Sequence, residues 1–353
     1  MSLLLLSATV LSTLVACSTL FKKNSKSSSS HLEESTRPAQ FEMTNLGLQL
    51  TQVGENDSPA ISSDGKKLVF ISRGRPGQPQ SQVFVLDLES RRAKRLTFQD
   101  GDCSHPIFLK NDKQIVYSST TDELKDHPLL FQKKTEPMPW PPSNLYLSDL
   151  KGTSITRLTR RGAYDGKAWP QTDKSLVYNQ AMGPRLELWQ FHLNSNKSNL
   201  LLSNKEKSVE NLRLSTDEKQ SVRIEHSPDQ IILASSKNLN RETTTLKLPQ
   251  GIYRDLSWIS PQKLMFSAQI LKKPFQIYQY DLPSQCLQLV IESNHNLLSP
   301  VQVPKENAVI LTAQTEKISQ IFYKDQIKTD LTSNPCLKWQ ESEASIDQTK
   351  AQN

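Results

Sequence analysis

Few residues in this sequence have the types and spacing that chemistry needs. Ser63 and Lys66 satisfy S-x-x-K, in which a lysine can activate a serine nucleophile. They belong to Ser63-Asp64-Gly65-Lys66, however, and Ser, Asp and Gly are what a tight turn asks for. A turn is therefore expected, and no catalytic residue is assigned. There is no G-x-S-x-G elbow, H-E-x-x-H helix, Cys-x-x-Cys pair or glycine-rich phosphate loop. The six histidines, His31, His105, His127, His192, His226 and His295, are scattered without ligand spacing, so neither a metal nor a cofactor is expected. His105 draws interest only through Asp102 and Cys103 beside it, and a turn or packing role is the plainer reading. Apart from Cys17, the cysteines are Cys103, Cys286 and Cys336, which allow at most one bridge. Cys286 lies on the last arm of the fifth unit of the repeat described next and Cys336 just past the sixth, so neighbouring blades could bring them together; free buried thiols are the alternative.

The elements that would position such residues are visible as an internal repeat. Ser58–Phe70 (SPAISSDGKKLVF) falls into register with His105–Tyr117, Gly166–Tyr178, Asn211–Arg223, Asp255–Phe266 and Ser299–Leu311. Leu68 and Ile115 are 47 residues apart, and the steps from Leu176 to Ser221, Leu264 and Val309 are 45, 43 and 45; only Ile115 to Leu176, at 61, is long. Between these phrases lie further strand-like runs such as Gln82–Leu88, Asn144–Leu150 and Gln276–Leu282, with Lys94–Thr97 and Thr156–Thr159 as closing arms. Short alternating runs separated by Asp-Gly, Asn-Asp, Thr-Asp or Pro turns are antiparallel meanders. A four-stranded unit recurring every 40–50 residues is a propeller blade. The expected fold class is all-β, a six-bladed β-propeller of four-stranded antiparallel blades. Closure is expected from Leu46–Gln52 (LGLQLTQ), pairing in the sixth unit near Ser319–Leu331.

SPAISSDGKKLVF, the following QVFVLDL and the closing RLT resemble the WD40-like (PD40) repeat of TolB-type periplasmic β-propellers. The resemblance covers roughly residues 46–333 and is weakest in the fourth repeat, where Leu212 replaces Pro and Glu218 replaces Gly. It implies a non-catalytic scaffold that docks envelope partners, such as peptidoglycan-associated lipoprotein, at the propeller face. The chain departs from TolB in carrying a tether where TolB has a small α/β domain.

Leu3–Leu14 is apolar, too short to span a bilayer as a helix, and runs into Leu14-Val15-Ala16-Cys17. This resembles a bacterial lipoprotein signal, residues 1–16, cleaved before a lipidated Cys17. No Lys or Arg precedes the apolar run, as secretory signals usually require. Residues 17–45, with Lys22, Lys23, Lys26 and the run Ser27–Ser30, read as a flexible tether. Its roughly 28 residues would reach about 30 Å. The residue after Cys17 is Ser18 rather than Asp, which favours the periplasmic face of the outer membrane; the inner membrane or cell surface are alternatives. Residues 334–353 read as a polar tail.

The net charge is +7, from 43 basic and 36 acidic residues. Basic clusters at Arg73 and Arg75, at Arg91, Arg92, Lys94 and Arg95, and at Arg157, Arg160 and Arg161 read as edge charges that discourage strand pairing. Contact with anionic lipid or cell-wall polymer is the alternative, and nucleic acid is not expected. The position before each inner strand would ring the channel mouth with Asp57, Ser104, Asp165, Glu210, Arg254 and Leu298. Such a mouth could hold a cation or a basic peptide terminus, or the acids could simply cap turns. The long step contains an insertion, residues 121–142 in the second blade, with five prolines and Leu130, Phe131, Met138 and Trp140 as apolar partner-binding candidates. Otherwise it folds back over blade edges. The functional expectation is a binding lipoprotein of the envelope whose partner is a protein or peptide. The alternatives are a periplasmic hydrolase or polysaccharide lyase, or a cell-wall or carbohydrate binding module.

Overall fold

The computed structural model describes residues 42–126, 140–182, 184–226, 228–239, 243–316, 318–325, 327 and 336–337. Five four-stranded antiparallel sheets and one of five strands form six blades. Their inner strands are Glu55–Ile61, Cys103–Phe108, Asp165–Thr172, Val209–Leu214, Gly251–Ser260 and Asn296–Gln302. Each touches the next, and the sixth touches the first, so the blades close a ring around a channel. The six-bladed expectation holds.

The second strand of each blade explains the arrangement. In blade 1, Lys67–Arg73 (KLVFISR) is buried almost throughout, because successive side chains point to opposite faces and each face meets a neighbouring blade. Leu68 and Phe70 pack with Val303, Ile310 and Ile321 of blade 6, while Val69 and Ile71 pack with Ile115 and Tyr117 of blade 2. The buried apolar residues accordingly form six clusters, one in each seam between blades.

Closure is as the sequence indicates. Gly47–Gln49 pairs antiparallel with Ser319–Asp325, in the register Leu48 to Tyr323 and Gln49 to Phe322, and Leu50 N–H donates to Ile321 O at 2.8 Å. The first described strand, Glu42–Thr44, adds a fifth strand to blade 6 and begins the strand structure four residues ahead of the expected Leu46. At the other end Cys286 and Cys336 are bridged, with Cα atoms 5.3 Å apart, and Leu337 N–H donates to Leu287 O at 2.8 Å. Blade 5 thus holds the segment that follows blade 6. Cys103 is a free thiol buried in the blade 1–2 seam, where burial lifts it to about 11.

Every inner strand carries the same irregularity. Two residues face one on the second strand, and the first of the two adopts a left-handed backbone: Ser58, His105, Lys167, Asn211, Asp255 and Ser299, with φ between 48° and 57°. A non-glycine residue there costs roughly 1–2 kcal/mol, less for Asn and Asp, and bulges of this kind re-aim side chains. Here they aim all six bulge residues at the channel.

Candidate functional site

The channel has a waist and a mouth. The waist is a cavity of about 280 Å³ lined from all six blades, including all six left-handed residues. The mouth, about 480 Å³, lies at the starts of the inner strands and is lined by Asp57, Arg73, Asp102, Ser104, Pro141 and Leu298 among others. At the opposite end of the waist, Lys110 of blade 2 pairs with Glu218 of blade 4, crossing beneath blade 3.

Of the six residues expected to ring the mouth, Asp57, Ser104 and Leu298 line it. Asp57 lies 3.6 Å from Arg73, and burial raises its carboxyl against that pull. Asp165 is displaced from the expected position: it is fully buried, accepting from Gln180 Nε2 at 2.8 Å, and burial lifts it to about 6. The turn joining the inner and second strands is one residue shorter in blade 3, between Pro170 and Leu176, than in blade 1, between Ile61 and Leu68, so Gly166 rather than Asp165 occupies the ring position. Only glycine fits, since a Cβ there would meet the Tyr164 hydroxyl at 2.3 Å. Arg254 is exposed, its guanidinium 4.9 Å from the Phe275 ring of its own blade. Glu210 is buried, with Lys167 Nζ at 2.8 Å and His226 Nε2 at 3.0 Å. Burial alone would raise Glu210, yet Lys167 and His226 together hold it below the usual carboxylate range. The mouth is therefore not an acidic ring.

Those contacts make a polar chain through three blades. Lys167 of blade 3 binds Glu210 of blade 4, Glu210 binds His226, and His226 Nδ1 meets Asp229 Oδ1 at 2.7 Å. Asp229 Oδ2 then accepts from Tyr253 N–H of blade 5 at 3.1 Å. Burial disfavours charged His226, but Asp229 and Glu210 outweigh it and lift the imidazole to about 9, so it is protonated at neutral pH.

Apart from His105, the sequence reading missed the residues that fill the waist: the left-handed bulge residues, and Arg213, which lies three positions past Glu210. Arg213 lies 4.1 Å from the Trp169 ring centroid and donates to Leu212 O at 3.0 Å and Asn211 Oδ1 at 3.4 Å. Burial lowers it to about 10, opposed by Asp255 and Glu210, so it stays charged. Asp255 Oδ2 accepts from Ser299 N–H at 2.9 Å and its hydroxyl at 3.3 Å. His105, one of the left-handed residues, is lowered to about 3 by burial and then by Lys167 and Arg213, and so is neutral. The signal was present: Asn and Asp at positions 211 and 255 are the residues most tolerant of a left-handed backbone.

Ser63 is a turn residue as expected, its N–H and hydroxyl donating to Asp112 of blade 2. Asp102, Cys103 and His105 do not converge: Asp102 holds Ser81, Cys103 faces the seam and His105 the channel. Among the described residues no group of three His, Cys, Asp or Glu could hold a metal, and no helix is long and apolar enough to cross a membrane.

The insertion opens with the helical segment Thr121–Asp126. Arg157 of the outer strand binds Asp126 at 2.9 Å, Glu123 at 3.2 Å and Asp122 at 3.4 Å, and Glu123 is fully buried. Leu130, Phe131 and Met138 lie outside the described residues; Trp140 is half-buried and Pro141 lines the mouth. The proposed docking loop thus returns at the channel opening. Several cations of the basic clusters are already engaged: Arg157 by its acids, Arg73 by Glu55, and Arg75, Arg95 and Arg161 over Phe84, Phe98 and Trp189.

The fold and channel define a six-bladed β-propeller with an opening on one face. Among solved structures it is similar to TolB from Acinetobacter baumannii, at 13% identity and a TM-score of 0.52, over 76% of this chain and 66% of that one. It is also similar to a TolB-type protein from Agrobacterium tumefaciens (13%, 0.54, over 80% and 95%) and to an oligogalacturonate lyase in complex with manganese (14%, 0.51, over 82% and 96%). At these identities the similarity is one of fold. No protein-family model and no curated protein matches the sequence.

Proposed function

We propose that this chain is a non-catalytic binding propeller of the bacterial cell envelope, held by lipid on Cys17 at the periplasmic face of the outer membrane, and that it engages a protein or peptide partner at the mouth face. The observation that carries this reading is the convergence of two features on that face. The mouth cavity offers a concave surface of mixed polarity, and Pro141, next to the half-buried Trp140, puts the end of the insertion at its rim. Aromatic anchors beside a groove are what protein interfaces use. The Cys286–Cys336 bridge supports an address outside the cytoplasm, because structural disulfides persist in oxidising compartments.

Crosslinking in intact cells, followed by mass spectrometry, tests the reading. The wild type should require detergent for extraction and should recover a discrete envelope partner. Phe131→Ala with Trp140→Ala should lose that partner while keeping the melting temperature, and Cys17→Ser should abolish lipid addition. Turnover of a peptide, ester or glycan by the purified chain, with every partner retained by the double variant, would restore the hydrolase or lyase reading.

A further inference from the structure

We propose that the channel waist is a carboxylate-binding site, in which Arg213, with Lys167 and His105 beside it, receives the carboxylate of an extended peptide segment entering through the mouth. The inference rests on the binding reading above and names the chemistry that the partner must bring.

Donor counting comes first. A guanidinium has five N–H donors in a planar fork suited to a carboxylate. Arg213 uses two, on Leu212 O and Asn211 Oδ1, and has no carboxylate at ion-pair distance among the described residues. Its face lies against Trp169, which holds the plane in place inside the cavity. Lys167 Nζ has three donors, and Glu210 takes one of them. His105 is a neutral ring whose buried Nδ1 has no hydrogen-bond partner. Asp255, the carboxylate on the blade 5 side, is bound to Ser299.

Electrostatics point the same way. Lys167 and Arg213 both disfavour a proton on His105 and Glu210 alone opposes them, so cations outweigh acids at that imidazole, while Asp255 and Glu210 act on Arg213. That balance selects an anion.

The walls select its attachment. Pro59, Pro106, Pro300, Ile107 and Val301 line the same cavity, so the anion would enter among apolar surfaces that suit side chains of an extended segment. At about 280 Å³ the waist lies at the low end of the roughly 300–1,000 Å³ of small-molecule sites, which fits a chain end or one acidic side chain better than a folded element. Ser58, His105 and Ser299 line both this cavity and the mouth, and that junction is the route by which the segment would enter.

The test is titration of the full chain with three acetylated pentapeptides of Gly, Ala and Ser: one with a free C-terminal carboxylate, its C-terminal amide, and the amide with one central Glu. The difference in Trp emission between wild type and Trp169→Phe reports the channel. The free acid or the Glu peptide should bind and perturb emission, whichever is tighter identifying terminus or side chain as the source, and the plain amide should bind at least about tenfold more weakly. Arg213→Gln should weaken the acid by about tenfold to a hundredfold at unchanged melting temperature, as loss of a charge-assisted pair implies. Arg213→Lys should recover part of the affinity, and Lys197→Gln on the outer surface should bind as wild type. Equal binding of acid and amide, inorganic phosphate binding as well as the acid, or full affinity in Arg213→Gln would overturn the site. If Arg213→Gln recovers the envelope partner as fully as wild type, the waist site fails while the binding reading stands; if the wild type recovers no partner, the binding reading itself fails.

Discussion

The seam between blades 6 and 1 and the seam between blades 3 and 4 occupy equivalent places in the ring and both hold an apolar cluster, but the second has buried polar groups at two positions that are apolar in the first. In the first, Leu68 and Phe70 of the best repeat meet Val303, Ile310 and Ile321. In the second, the matching positions on Gln220–Glu225 are Ser221 and Arg223, both buried. Arg223 binds Glu225 at 2.8 Å and Leu239 O at 3.0 Å, Lys167 binds Glu210, and Asn179 Nδ2 donates to Val209 O at 2.8 Å. The opposite face of the same strand stays apolar, with Val222 and Ile224 packed toward blade 5. A blade can therefore lose half of its hydrophobic signature and keep its place, provided the bulge and strand register remain and the polar groups satisfy one another.

The sharpest way to break the comparison is at closure. Deleting residues through Val53 removes Leu48 and Leu50 from the apolar seam and leaves the last strand of blade 6 with a bare edge. The melting temperature should fall by about 10 °C or more, whereas deletion of 18–40 should change it little. Differential scanning calorimetry of both truncations decides, and equal melting temperatures would remove the closing strand from the account. Next come single substitutions. Leu68→Ala should cost about 3 kcal/mol through a cavity. Glu210→Ala should cost a similar amount by leaving Lys167 and His226 without their shared acid, but Glu210→Leu with Lys167→Met should recover much of it. Urea titrations of the three variants beside the wild type test whether the two seams differ in kind, and a double variant no better than Glu210→Ala would show that they do not.

A smaller effect separates the seams by pH. His226 titrates near 9 in the fold and near 6.5 unfolded, so its contribution is complete below about 6.5 and is lost as pH rises through 9. Glu210 is depressed, so its contribution is present above the ordinary carboxylate range and disappears on acidification. Thermal melts from pH 6 to 10 should show wild type losing stability that His226→Gln never had, and parallel profiles would contradict this. The smallest effect is at Asp165. Its folded value near 6, above the ordinary 3.8, means stability declines as pH rises between those values. Asp165→Asn should therefore gain about 1 kcal/mol above pH 6, and melts at pH 4 and 7 would reveal it.

The repeat was legible because Leu68, Ile115, Leu176, Leu264 and Val309 keep one chemistry and, apart from the long step between Ile115 and Leu176, a nearly constant spacing per blade, which strand alternation and seam packing impose. The site was less legible. An ungapped alignment counted back from Leu176 placed Asp165 at the mouth, because a turn shorter by one residue leaves no local mark. The same shortening in blade 5 was visible, since Asp255 made the correct frame the better match. Lys167 escaped notice because its role comes from a backbone bulge that rotates it inward, and Arg213 because it stands just past such a bulge; one linear repeat displays neither. The Lys167–Glu210–His226 chain joins residues up to 59 positions apart, and only the ring brings them together.

The fifth strand of blade 6 has a mechanical consequence. Among the described residues Glu42–Thr44 pairs with the ring through Gly47–Gln49, by three residue pairs. A load applied at Glu42 would peel that hairpin open one pair at a time, extending the chain before any force reached the closing contacts of Leu48 and Leu50. Opened in this way, the hairpin would lengthen the chain by about 3.3 Å per residue freed while the contacts of Leu48 and Leu50 still held.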